Sequence, residues 1–186
     1  MAGSWGRIAK RIRVPMGFLF AAIFLWLARP SLASMALSLL LVVPGLLLRG
    51  YASGYVKKNA ELTVTGPYAY TRNPLYLGSM LIAFGFAGAS RSVWIAGALA
   101  VLFAAIYVPV IRNEEEFLRG AFPEFDAYTR RVPRLLPRLT PAKAERTEAG
   151  QFSSALYRKH REYNALLGAT AIYAALAIRL YVGTRQ

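Results

Sequence analysis

The sequence predicts an all-α, polytopic integral membrane protein, a single helical bundle of about five transmembrane helices. Three observations carry that prediction. Of the 186 residues 56% are hydrophobic, above the share of a soluble domain, and the mean hydropathy is positive. Five long apolar runs follow one another, each near the length a helix needs to cross hydrocarbon. Lys and Arg gather at alternate ends of those runs.

The first run, Val14 to Ala28, and the third, Leu75 to Ala89, hold about fifteen strictly apolar residues. That is short of the usual ~20, so flanking residues must snorkel or the bilayer must thin there. Apolar sequence resumes directly after Arg29-Pro30-Ser31, which predicts a tight helical hairpin with the second run, Leu32 to Tyr51, rather than a cleaved leader. The third run opens where Asn73 suits an N-cap and Pro74 suits the first helical position, whose missing N–H costs nothing there. Gly85, Gly88 and Ser90 mark its end. Gly78, Gly85 and Gly88 have two readings, close approach of a neighbouring helix or a ligand pocket formed by the same thinness.

The fourth run, Val93 to Ile111, continues without a breaker into Arg112-Asn113-Glu114-Glu115-Glu116-Phe117-Leu118, so its helix is expected to leave the membrane carrying three glutamates. Segment 119–140 sets Phe122, Phe125, Tyr128, Val132, Leu135 and Leu136 among arginines, a composition suited to the interface plane, with Pro133 and Pro137 breaking it into short pieces. The basic stretch from Tyr157 to Asn164, His160 included, reads as an anchor to anionic headgroups before the fifth run, Ala165 to Val182. Arg179 inside that run is expected to snorkel outward.

Nineteen Lys and Arg fall on one side of the bundle and four, Arg29, Arg91, Arg179 and Arg185, on the other; all nine acidic residues share the first side. The N-terminus and both large polar segments are therefore expected in the cytoplasm, in a multi-pass protein of the cell inner membrane or the endoplasmic reticulum, depending on the organism. A net charge of +14 raises nucleic acid as a partner. The basic residues flank apolar runs and no recognition motif accompanies them, so the lipid bilayer is the expected partner and nucleic acid is not. The lack of cysteine excludes disulfides and thiol catalysis, and a single histidine argues against a metal site.

Two constellations are suited to chemistry. Gly66-Pro67-Tyr68-Ala69-Tyr70-Thr71-Arg72-Asn73-Pro74-Leu75-Tyr76-Leu77-Gly78 is a turn leading directly into an apolar helix. Free N–H groups and the positive dipole end there favour a carboxylate or phosphate, and Arg72 adds a planar guanidinium. A turn with a snorkelling arginine and interfacial tyrosines accounts for the same residues without a ligand. The second is Glu114-Glu115, which an antiparallel helix pair would return to the start of the third helix. Carboxylates there grip hydroxyls or an ammonium. A solvated face is the plain alternative, and glutamate near a helix C-terminus opposes the dipole unless the helix continues or a cationic ligand compensates. Together the two segments suit a zwitterionic, amino-acid-like ligand.

The stretch from Glu61 to Gly78, with Gly-Pro-Tyr followed by Arg-Asn-Pro-Leu-Tyr, then Glu114-Glu115-Glu116-Phe117-Leu118 and Tyr128-Thr129-Arg130-Arg131-Val132-Pro133, resembles the isoprenylcysteine carboxyl methyltransferase family and the related phospholipid methyltransferases. The resemblance implies one domain over residues 1–186, with an N-terminal helical hairpin at 14–51, a catalytic core at about 49–138 and a C-terminal helix at 165–182. It implies S-adenosyl-L-methionine held in a cytosolic pocket and a lipophilic methyl acceptor that enters sideways from the membrane. Carried over residue by residue, it implies cofactor binding by Ala60, Glu61, Leu62, Thr63, Tyr68, Asn73, Pro74, Leu75, Tyr76 and Glu115. Arg72 would face the acceptor and Glu114 would close the pocket or meet the substrate, as the catalytic pair. Family members often carry histidine where Ala60 and Asn73 stand; asparagine still donates and accepts.

A sulfonium methyl donor is already activated, so in-line positioning is the protein's main task. A carboxylate acceptor needs only orientation, by Arg72. An amine must also lose a proton, for which Glu114 is the base. O-methylation of an isoprenylcysteine-type carboxylate is the favoured reading; a phospholipid headgroup N-methyltransferase and a non-catalytic lipid-binding bundle are the alternatives.

Overall fold

Serine caps and two-residue breaks set the helix boundaries. The computed structural model describes residues 21–57, 61–143 and 150–183. Helical residues 21–27 (α1) turn through Arg29-Pro30 into α2, Leu32–Ser53, where Ser31 and Ser34 cap each other's backbone N–H reciprocally. A 3-10 turn, Gly66–Ala69, precedes α3, Pro74–Ser90. Arg91 ends α3 in the left-handed region, with φ 54° and its N–H on Gly88 O, and Ser92 caps α4, Val93–Leu102. A π-helical turn, Phe103–Tyr107, carries α4 without a break into α5, Val108–Ala121. The short α6, Phe125–Arg131, and α7, Ser154–Lys159, lead to α8, Tyr163–Gly183. Among the described residues there is no strand.

Three helices are long and apolar enough to cross a membrane: α2, the continuous 29-residue helix Val93–Ala121, and α8. The α3 helix is apolar but has 17 residues. At 1.5 Å per residue it spans roughly 25 Å, short of the ~30 Å hydrocarbon core. Most of the first apolar run lies outside the described residues. The fold is thus all-helical as expected, with three helices of spanning length among the described residues where five had been expected.

The α2 and α3 helices pack backbone to backbone. A Cβ built on Gly45 would lie 2.8 Å from Gly78 O, one on Gly78 2.6 Å from Arg49 Cγ, and one on Gly85 2.6 Å from Val42 Cγ2. Close helix approach is therefore the correct reading of Gly78 and Gly85. Gly88 does not share it, because open space surrounds the position its Cβ would take. Phe24, Val42, Phe86, Ile95 and Leu176 join α1, α2, α3, α4 and α8 in one apolar core. Beside it, α1, α3, α4 and α8 enclose a cavity of about 630 Å³ whose lining includes Phe24, Ile82, Leu99, Gly168 and Ile172, with Arg49 and Ser79 as its polar wall.

The π-helical turn has a local cause and a distant effect. Pro109 lacks an N–H and its ring presses on the carbonyl four residues back, and the wider turn, in which Val108 N–H reaches Phe103 O, makes room for it. Phe103, Ile111 and Glu115 are all buried. Steps of four drift by about 40° each on a regular helix, and the wide turn takes part of that drift back. The buried stripe therefore reaches Glu115 and turns its carboxylate inward.

Candidate active site

The turn before α3 is stitched to a segment some sixty residues further along. Arg72 N–H donates to Pro133 O at 2.9 Å, Arg138 N–H to Tyr70 O at 3.0 Å and Ala142 N–H to Ala69 O at 2.9 Å. Thr71 Oγ1 donates to Leu135 O at 3.0 Å, and Tyr128 Oη donates to Tyr68 O at 2.7 Å. Gly66, at φ 59°, is the point where the chain bends in; a Cβ there would be strained and would lie 2.6 Å from Tyr55 Cε1. Asn73 occupies the N-cap position but its side chain makes no capping bond. Its Nδ2 donates instead to Arg134 O at 2.9 Å. The expected capping role is thus replaced by a cross-link to the Arg134 carbonyl, and Pro74 leaves one fewer N–H to cap.

Within this frame the α3–α4–α5 hairpin returns Glu114 and Glu115 to the start of α3. Glu115 is 5% exposed. It accepts from Arg134 Nη2 at 2.7 Å and Nε at 3.1 Å, and forms an ion pair with Arg72 Nη1 at 3.2 Å. Burial pulls the Arg72 guanidinium below its ordinary value while Glu115 opposes that shift, and the hydrogen bonds to Glu115 raise Arg134. Both stay charged at any working pH. Burial, with the Glu114 charge nearby, holds the Tyr76 phenol neutral, and its ring stands edge-on to Tyr107 with centroids 5.4 Å apart. Burial, followed by the nearby Glu114 and Glu162 charges, holds Tyr68 as a neutral phenol. Two buried polar side-chain atoms, Arg72 Nε and Thr63 Oγ1, have no partner among the described residues.

Of the residues singled out in the sequence, the fold pairs Arg72 with Glu115, ties Asn73 to the Arg134 carbonyl, and sets Tyr76 and Tyr68 near the Glu114 charge. Pro74 is buried as the first residue of α3, and Leu75 O accepts from Arg49 Nη1 at 3.4 Å. Glu61 pairs with Lys57 at 3.0 Å, and Leu62 packs into a second small core with Phe125, Tyr128 and Val132. Ala60 lies outside the described residues.

Arg134 and Tyr128 are members of this site that motif reading did not single out for a role. The available signal was the spacing of Phe125, Tyr128 and Val132, one face of a helical period. Those three are buried, whereas Leu136 is 78% exposed, so only part of segment 119–140 has the free apolar surface expected of an interfacial stretch. His160 serves structure: its Nδ1 donates to Ser53 O, in the last turn of α2, at 3.0 Å. Arg179 is exposed, as expected, and reaches Trp26 O at 3.4 Å. Arg49 joins Glu162 at 2.8 Å and Ser79 at 2.5 Å, pinning the start of α8 to α2 and α3.

The site's central elements, the turn, α3, α4 and the Glu114–Glu115 end of α5, all lie in one segment with known relatives. Residues 48–124 match the phospholipid methyltransferase family. This is the family of isoprenylcysteine carboxyl methyltransferase-like membrane methyltransferases, so the resemblance read from the motifs is borne out. The chain is also 42% identical over 97 residues to the nickel-cobalt-cadmium resistance protein NccN of Alcaligenes xylosoxydans xylosoxydans, covering 52% of this chain and 45% of that protein. It is 41% identical over 104 residues to the cobalt-zinc-cadmium resistance protein CzcN of Cupriavidus metallidurans, covering 56% and 47%. The chain thus spans about half the length of these curated relatives. No solved structure matches it. Among the described residues no three His, Cys, Asp or Glu side chains gather as a metal site would require.

Proposed function

We propose that the protein is an integral membrane S-adenosyl-L-methionine-dependent methyltransferase acting on a lipophilic acceptor, with O-methylation of an isoprenylcysteine-type carboxylate as the favoured reaction. The observation that carries this reading is a juxtaposition at the start of α3. The Arg72–Glu115 pair and Tyr76 with the Glu114 charge near it stand there, inside the segment that matches the family, and one helical turn further along α3 Ser79 opens the apolar cavity. Charged groups of both signs beside an apolar cavity suit a polar donor and a greasy acceptor meeting at one edge of the membrane. The basic residues on the same side make that edge the cytosolic one.

The residues present fit the donor. A zwitterionic amino-acid end finds a carboxylate in Glu114 and guanidinium N–H groups in Arg72, and the partnerless Thr63 Oγ1 offers a further hydrogen bond. S-adenosyl-L-methionine, when bound, supplies a methyl group on a sulfonium that leaves readily. The chain's own work is positioning. Arg72, fixed by Glu115 and by its backbone bond to Pro133, orients the acceptor carboxylate, which is already a nucleophile. The strap of residues 133–142 covers Glu115 and keeps water from its charge.

The family's description favours a second reading, N-methylation of a phospholipid headgroup, in which Glu114 takes the proton from the amine. One experiment tests the proposal and separates the two. Membranes containing the protein are incubated with methyl-labelled S-adenosyl-L-methionine and the lipophilic extract is counted before and after mild base. Label released by base as volatile methanol identifies an ester, and base-stable label identifies an N-methyl product. Absence of label from every lipophilic fraction, at protein levels that saturate expression, contradicts the enzyme reading.

A further inference from the structure

The cluster around Glu115 holds more positive charge than its own structure needs. Two guanidiniums, Arg72 and Arg134, meet at the same oxygen, Glu115 Oε1, at 3.2 Å and 3.1 Å. Arg119 is spent on Asp126 at 2.9 Å, and the Glu114 charge acts on Tyr76 and Tyr68 rather than on Arg72. One carboxylate thus answers two cations at the heart of the site, although a single buried pair would be neutral.

Neither guanidinium is exhausted. Arg134 spends Nε and Nη2 on Glu115, its Nη1 meets no acceptor among the described residues, and its side chain is 47% exposed. Arg72 spends Nη1, while its Nε is buried and partnerless. A buried N–H without an acceptor is costly and rare in a finished structure, and a ligand acceptor is the usual remedy. Nor is the Arg134 side chain needed to hold the segment in place. Its backbone carbonyl already does so, accepting from Asn73 Nδ2 at 2.9 Å and Thr71 Oγ1 at 3.3 Å.

We propose that Arg134 joins Arg72 as a two-guanidinium holder for a ligand oxyanion, with Glu115 as the shared counter-ion that splays the two forks apart. The proposal rests on the methyltransferase reading and adds a residue to it beyond the segment that matches the family. Two ligands there bring such an oxyanion: the donor, through its amino-acid carboxylate, and the acceptor, through its own carboxylate. Paired forks read a planar carboxylate geometrically as well as by charge, so lysine is a poor replacement.

The test is titration calorimetry on the full-length protein in detergent, with Arg134→Ala and Arg134→Lys beside the wild type and thermal unfolding as the control for folding. Two probe pairs are used: S-adenosyl-L-methionine with its decarboxylated analogue, and N-acetyl-S-farnesylcysteine with its carboxamide. If the oxyanion is the donor's, Arg134→Ala weakens S-adenosyl-L-methionine about tenfold or more and leaves the decarboxylated analogue unchanged, with Arg134→Lys between. If it is the acceptor's, the same selective loss is seen for the farnesylcysteine acid against its amide. Equal losses for both members of each pair, or no loss in either, overturn the proposal while leaving the enzyme reading intact. A wild type that binds neither donor nor acceptor overturns both.

Discussion

The two ends of α3 are held by different physics. At its far end the fastenings are neutral hydrogen bonds: Ser34 Oγ donates to Ala89 O at 3.0 Å, Arg29 N–H to Ser90 O at 2.9 Å, and Ser90 Oγ to Ala87 O at 2.7 Å. At its start charged groups take part as well: Glu115 meets Arg72 and Arg134, beside the neutral bond from Tyr128 to Tyr68 O. A neutral hydrogen bond contributes about 1 kcal/mol net, whereas breaking one partner of a buried ion pair leaves a charge stranded. The far end therefore serves only to close the bundle, while the near end fixes side-chain positions of the kind that chemistry requires.

That contrast ranks the consequences of substitution. Glu115→Ala should be the most damaging single change, costing roughly 3–5 kcal/mol because it leaves the buried Arg72 guanidinium without its counter-ion; thermal unfolding in detergent would show it, and turnover should vanish with it. Arg72→Ala should abolish methyl incorporation, and a binding assay run beside the activity assay tells which carboxylate the guanidinium holds: cofactor binding is retained if it is the acceptor's and weakened about tenfold if it is the donor's. Gly78→Leu should cost about 1–3 kcal/mol, since a side chain there meets Arg49 and the Gly45 backbone. Gly88→Leu, on the same helix and in open space, should stay within about 0.5 kcal/mol of the wild type. If the two glycine variants unfold alike, the close α2–α3 contact is not what holds these helices.

A modest effect is expected at Tyr128. Burial raises its phenol, so the folded protein retains a proton that the unfolded chain releases. The stability this adds is complete below about pH 10 and is lost as pH rises further. Tyr128→Phe should cost about 1 kcal/mol at neutral pH through its bond to Tyr68 O, and its stability should fall less steeply than the wild type's in alkali. Denaturation at pH 8 and pH 11 checks both.

Much of this was legible in the residues because local rules decide it. The Asn73-Pro74 boundary, the uninterrupted helix from Val93 past Glu116, and the tight turn at Arg29-Pro30-Ser31 all follow from caps, breakers and apolar run length. What could not be read was where remote polar groups find each other. Asn73 looked like a cap because sequence shows its neighbours in the chain, and Arg134, its actual partner, stands sixty-one residues away. Segment 119–140 misled for the opposite reason, since apolar residues among arginines suit a lipid interface and a small buried core equally well. Phe125, Tyr128 and Val132 form such a core with Leu62. The wide turn at Phe103–Tyr107 has a sequence cause in Pro109, yet its effect on the facing of Glu115 depends on the whole hairpin.

Equilibrium binding of labelled S-adenosyl-L-methionine to the detergent-purified, monodisperse protein tests the central claim most directly. The account predicts saturable binding at one site per chain, displaced by S-adenosylhomocysteine and weakened by Glu114→Ala. A preparation that is folded by thermal unfolding and shows no saturable binding would contradict it.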